Sequence, residues 1–213
     1  MSKKSESERL KSIIDLLKKE YPKIKIQLDH SSPFELLIAT MLSAQCTDAR
    51  VNIVTKDLFQ KYKSPKDYLK VPQEELGKDI FSTGFYNSKS KNIQACCKKL
   101  IEEHIGEVPK DFEKLANLSG VGRKTASVVV GNAFGIPAIA VDTHVIRLTN
   151  LLGFVKTKDA AKIEAILKKL LPKEEWVNFT HYIISHGRKI CIARRPKCLE
   201  CVLVDLCPSK NVD

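Results

Sequence analysis

Four cysteines, Cys191, Cys198, Cys201 and Cys207, follow one another with the spacing C-x6-C-x2-C-x5-C. The N-terminal stretch MSKKSESERL has no apolar core of signal-peptide length, and no segment approaches the roughly 20 apolar residues of a membrane span. A reducing, cytoplasmic compartment is expected, where disulfides do not persist. Four thiols so close together then indicate a tetrathiolate metal site. Spacing alone leaves zinc and an iron–sulfur cluster both open. Arg188, Lys189, Arg194, Arg195 and Lys197 crowd the start of this loop without an intervening acid. Arg194 and Arg195, held on a stiffened loop, are candidates to meet phosphates.

The second chemical constellation runs from Leu118 to Asp142, LSGVGRKTASVVVGNAFGIPAIAVD. Gly120-Val121-Gly122 stands between two helical patterns, so a tight turn with positive φ at the glycines is expected, with backbone N–H groups left pointing outward at a helix start. Arg123 and Lys124 follow at once. Two cations in a first helical turn oppose the macrodipole and should cost stability, so their placement asks for a functional reason. A solvated lysine, with a pKa near 10.4, is a free amine in only about one molecule in a few thousand at neutral pH, so a nucleophilic lysine needs burial or a positive field. The helix start beside Arg123 would provide that field for Lys124. Asp142 follows an apolar segment and precedes Thr143-His144-Val145-Ile146, a position that N-capping by itself would explain.

The elements that must hold these residues read as helices. Leu10, Ile13, Ile14 and Leu17 form one face that stops at Tyr21-Pro22. Ser32-Pro33-Phe34-Glu35 reads as a capping box with Pro at N1, opening a helix apolar almost all round and therefore buried. It ends at Ser43-Ala44-Gln45-Cys46-Thr47-Asp48, a polar break that can reach solvent. Val128-Val129-Val130 has strand propensity, but the flanking KTAS and GNAF give no alternation, and a buried helix is expected. Cys96 and Cys97 fall on one helical face with Ile93, Leu100 and Ile101 and read as packing residues. Two further amphipathic patterns follow Gly153, the second carrying Trp176, Phe179, Tyr182, Ile183 and His186. The fold class is all-α with about ten helices. The chain has 36 Lys and Arg against 25 Asp and Glu, a net charge of +11, which favours a polyanionic partner.

LSGVGRKTA followed by VDTH resembles the helix-hairpin-helix and catalytic aspartate signature of DNA glycosylases, most closely the endonuclease III family. SAQCTD resembles that family's SAQ-x-TD, GFYNSK its G-x-YNSK, and the cysteine spacing its C-terminal [4Fe-4S] loop, which decides for iron–sulfur over zinc. Ser119, Cys46 and Phe85 stand where the family usually has Pro, a small residue and Leu. The resemblance implies a domain at 26–136, a six-helix barrel with the hairpin at about 112–131. It implies a second, discontinuous domain of 1–25 and 137–213, with the cluster loop at 191–207 ligated by Cys191, Cys198, Cys201 and Cys207.

It further implies removal of damaged pyrimidines from duplex DNA by a monomeric enzyme, followed by strand cleavage at the abasic site. Lys124 would be the nucleophile and Asp142 its assistant. Contacts to DNA would come from Gln45, which enters the duplex, from Phe85, Asn87 and Lys89, from Gly120, Gly122 and Arg123, and from His144. An adenine-mismatch glycosylase of the same superfamily generally lacks the hairpin lysine and carries a further C-terminal domain. Lys124 and the end of the chain at Asp213 point away from it. A non-catalytic hairpin module would have no need of Asp142.

Overall fold

Residues 6–211 are described by a computed structural model. Among them there is no strand, and eleven α-helices are joined by short turns and four 3₁₀ segments. The chain divides into two compact units, Ile26–Ile136 and a second made of the residues up to Lys25 with those from Pro137 onward.

The first unit is built round α2 (Pro33–Leu42), in which every residue from Leu36 to Leu42 is buried. Three helices pack on it: α3 (Asp48–Lys61), α6 (Tyr86–His104) and α8 (Arg123–Phe134). Short α4 (Pro65–Leu69) and α5 (Gln73–Asp79) cover α6, while α7 (Phe112–Ala116) lies on α8. Pro33 opens α2 at a position whose N–H has no partner, and the Ser32 hydroxyl accepts from Glu35 N–H at 3.1 Å. The box is not closed in the expected way. Glu35 reaches one residue further back and accepts from the N–H and hydroxyl of Ser31 at 2.6 and 2.7 Å. The valine triplet is helical, with Val129 and Val130 fully in the core, because α8 must lie against the apolar α2. Cys96 and Cys97 are completely buried, and burial pushes the Cys96 thiol up to about 12, so it packs as a small hydrophobe.

The second unit gathers α1 (Glu6–Glu20), α9 (Thr143–Leu151), α10 (Ala160–Leu170) and α11 (Trp176–Lys189) round a core that includes Ile13, Leu17, Val145, Leu148, Phe179 and Ile183. Helix α11 packs on both α1 and α9. The cluster loop then leaves the end of α11, and Lys197 N–H returns to Ile190 C=O at 2.9 Å to close its first turn. Among the described residues no helix is long and apolar enough to cross a membrane.

Candidate active site and cluster loop

The hairpin in the first unit joins α7 to α8 by a turn in which Val121 is buried and its N–H bonds Leu118 C=O at 3.1 Å. Its two glycines differ. Gly120 has φ +73°, and a Cβ there would stand 2.8 Å from Asn92 Cβ and 3.0 Å from Met41 Cε, so backbone and space both require glycine. Gly122 departs from the expected positive φ. It is extended, at φ −88° and ψ 174°, and a Cβ would meet nothing within 4 Å. What Gly122 provides is an open approach.

As the residue before α8, Gly122 has no side chain to cap the helix, and the first-turn N–H groups have no intrahelical acceptor. Such a start favours an anion. The first turn carries Arg123 and Lys124 and no acid. The Arg123 guanidinium lies 4.8 Å from the centre of the Phe112 ring and 4.0 Å from Glu113. Lys124 is exposed beside it.

In the same unit, Gln45 and Phe85 are both exposed and both left-handed, at φ 53° and 50°. Non-glycine residues rarely adopt this conformation, and where they do the surroundings must hold it. Phe85 is 64% exposed, an unusual cost for an apolar ring, and it precedes α6, which like α8 has no side-chain cap. Asn87 is exposed in the first turn of α6. Gln45, Phe85 and Gly120 share the wall of one pocket of about 240 Å³.

Lys89, expected to contact DNA directly, instead turns inward. It is 7% exposed, and its Nζ donates to Leu42 C=O and to Thr83 C=O, each at 2.8 Å. Leu42 ends α2, and Thr83 ends the 3₁₀ segment Phe81–Thr83, so both carbonyls lie at helix ends that attract a cation. Burial lowers the lysine's pKa below its ordinary value.

In the second unit Asp142 caps α9, with Oδ1 accepting from Val145 N–H at 2.8 Å and Oδ2 lying 3.2 Å from His144 Nδ1. One carboxylate oxygen serves the helix, and the other is held by a ring two residues on. The His144 ring is fixed in turn by α11: a Cβ at Gly187 would lie 2.8 Å from His144 Cδ2 and 3.2 Å from Arg147 Nη2. A glycine inside a helix was the available sequence signal for this close approach.

All four clustered cysteines line one cavity of about 250 Å³, walled by Leu148, Leu151 and Ile190 among others. Four thiols round one cavity are a donor set that fits a tetrathiolate centre. Donors turn toward the sulfurs. Arg147 Nη1 is 3.5 Å from Cys191 Sγ, and Leu203 N–H is 3.4 Å from Cys201 Sγ. His186 Nε2 is also 3.4 Å from Cys201 Sγ. Tyr21 Oη lies 3.1 Å from His186 Nδ1, and burial, with the Arg147 charge adding, holds the imidazole down to about 4. A neutral His186 with its proton on Nε2 would accept from Tyr21 and donate to Cys201, satisfying both ring nitrogens. The helical pattern had marked His186 only as part of a packing face, and had marked Tyr21 only as a helix end. Arg194 and Arg195 are exposed, while Lys197 pairs with Glu200 at 3.5 Å and Lys189 lies over the Tyr21 ring at 5.5 Å.

Comparison with known proteins bears on both halves of this description. Residues 38–173 match the family model of the HhH-GPD superfamily base excision DNA repair proteins. Residues 191–207 match that of the iron–sulfur binding domain of endonuclease III. Endonuclease III of Bacillus subtilis (strain 168) is 53% identical over 195 residues, 91% of this chain and 89% of the relative. Two solved structures superpose with a TM-score of 0.92 at 50% identity, over 98% of this chain and 97% of theirs. One is a non-covalent endonuclease III–DNA complex and the other a trapped endonuclease III–DNA covalent intermediate, an estranged-adenine complex. The cofactor of the cysteine loop is accordingly a [4Fe-4S] cluster. With its hairpin, its capped aspartate and its cysteine-lined cavity, the chain belongs to the endonuclease III family of helix-hairpin-helix DNA repair glycosylases.

Proposed function

We propose that Lys124 is the nucleophile of a DNA glycosylase and abasic-site lyase acting on damaged pyrimidines in duplex DNA, and that Asp142 assists it. The observation that carries this is the start of α8, an uncapped helix end with an exposed lysine in its first turn and an open glycine before it. A phosphate would seat on the first-turn N–H groups, and the extruded nucleotide would then lie within reach of Lys124.

In this reading the unprotonated amine attacks C1′ of the flipped nucleotide. The bond from C1′ to the base breaks, and the base leaves with the electron pair and takes up a proton. Opening of the sugar at O4′, with a proton delivered there, gives the iminium form of the Schiff base. Loss of a proton from C2′ then expels the 3′ phosphate by β-elimination. Asp142 would stabilise the cationic sugar and assist the proton transfers. Gln45 and Phe85 would fill the space in the duplex left by the extruded base. Cys191, Cys198, Cys201 and Cys207 would hold the [4Fe-4S] cluster, a structural centre that orders the loop bearing Arg194 and Arg195 against phosphates. The setting would be chromosomal DNA in a reducing cytoplasm.

The test is borohydride trapping on a duplex with one abasic site. Wild type should form a covalent adduct and cleave the strand. Lys124→Gln should do neither while still binding the duplex through the hairpin amides and the basic loop. Adduct formation by Lys124→Gln at the wild-type rate would assign the chemistry to another amine.

A further inference from the structure

The inward turn of Lys89 joins two segments distant in sequence. Its ammonium holds the last carbonyl of α2, three residues before Gln45, and the carbonyl of Thr83, two residues before Phe85. Three non-glycine residues have positive φ among those described, and two of them are the residues that follow these anchored carbonyls. Left-handed turns at glutamine and phenylalanine persist only when their surroundings over-determine them. A single cation bonded at 2.8 Å to the chain just before each turn is such a constraint. Among the described residues no carboxylate is bonded to the Lys89 ammonium, and an ordinary packing role would be met more cheaply by an apolar side chain of the same length.

We propose that Lys89 is a positioning residue that sets the two wedge turns in register, so that Gln45 and Phe85 enter the duplex together when a base is extruded. The lysine itself does not touch DNA. The common pocket wall formed by Gln45, Phe85, Lys89 and Gly120 places both wedges beside the hairpin of their own unit, where one displaced turn would spoil the other's fit. This rests on the proposed wedge role of Gln45 and Phe85 and deepens it.

The experiment uses the cluster-loaded enzyme carrying Lys89→Met, which keeps the length of the side chain and removes its donors. Excision of a damaged pyrimidine paired in a duplex should fall about 10- to 100-fold, the scale of a positioning loss of about 1 Å. Cleavage at a pre-formed abasic site, where less unstacking is needed, should change less than about twofold. The fluorescence rise of a 2-aminopurine placed beside the lesion should shrink in parallel. The salt dependence of binding should keep its slope, where loss of a phosphate contact would lower it by about 0.9.

In a Gln45→Ala/Phe85→Ala background, Lys89→Met should add nothing further to the loss on the paired lesion, the mark of residues acting through one another. Equal losses on both substrates, an additive loss in that background or a reduced salt slope would each overturn the proposal. If the background variant loses paired-lesion excision selectively and Lys89→Met does not, only the role of the lysine falls. If the background shows no selective loss, the wedge reading falls and takes this one with it. Should Lys89→Met not fold, Lys89→Arg keeps the charge and changes the reach, and the same selective loss is expected.

Discussion

Helices α8 and α9 begin in opposite ways. The first starts after a glycine, has no cap and carries two cations where the helix dipole repels them. The second starts at Asp142, whose carboxylate accepts from Val145 N–H and suits the dipole in both sign and place. In the proposed mechanism the demands of folding and of chemistry fall at α9 on the same side chain, and a stability argument alone would have kept an aspartate there. In the same mechanism the two demands conflict at α8. A functional residue that breaks a local rule stands out in a sequence, whereas one that obeys the rule is hidden by it.

The contrast can be broken most severely at Gly120. Gly120→Ala forces a left-handed alanine, which costs about 1–3 kcal/mol, and drives its methyl into Asn92 and Met41. Thermal denaturation should show a large loss of stability. Gly122→Ala, extended and in open space, should leave the melting temperature nearly unchanged and weaken binding to undamaged duplex, because the methyl occupies the phosphate's approach. Equal destabilisation by the two would mean that the hairpin is not built as described.

Asp142 gives the intermediate effect. Asp142→Ala should lose about 1 kcal/mol of stability with its cap. Asp142→Asn keeps a capping oxygen and should melt close to wild type. Both should remove bases slowly, and both should retain some borohydride trapping on abasic DNA, since the lysine remains. If Asp142→Asn excised bases at the wild-type rate, capping would be the whole role of this residue.

The smallest effect is the most pointed. Lys124→Gln removes a cation from the first turn of α8, so an inactive protein should be more stable than wild type by about 0.3–1 kcal/mol at low salt, with the gain shrinking as salt is added. A loss of stability would show that Lys124 is held for packing.

The sequence carried most of the architecture because periodicity and turn chemistry are local. The N1 proline of α2, the break after Leu42 and the helical reading of Val128–Val130 all depend on neighbours a few residues away. The hairpin, VDTH and the cysteine spacing were visible for the same reason. Tertiary direction was not. Nothing near Lys89 shows that its charge is spent on the carbonyls of Leu42 and Thr83, so an exposed DNA contact was the natural reading of a lysine in YNSK. His186 shares a helical face with Phe179 and Ile183, and only the fold brings Tyr21 to one side of its ring and Cys201 to the other. Glycines likewise look alike in a sequence. Gly120 is required by φ and by space, Gly122 by neither, and Gly187 by the nearness of His144.

The central claim is that the chemistry passes through the amine of Lys124. Reducing the adduct on an abasic duplex with borohydride, digesting protein and DNA, and locating the sugar remnant by mass spectrometry tests it without any substitution. The remnant should lie on the peptide containing Gly122-Arg123-Lys124, attached to the lysine side chain. A remnant on another lysine or on the N-terminal amine would contradict the account.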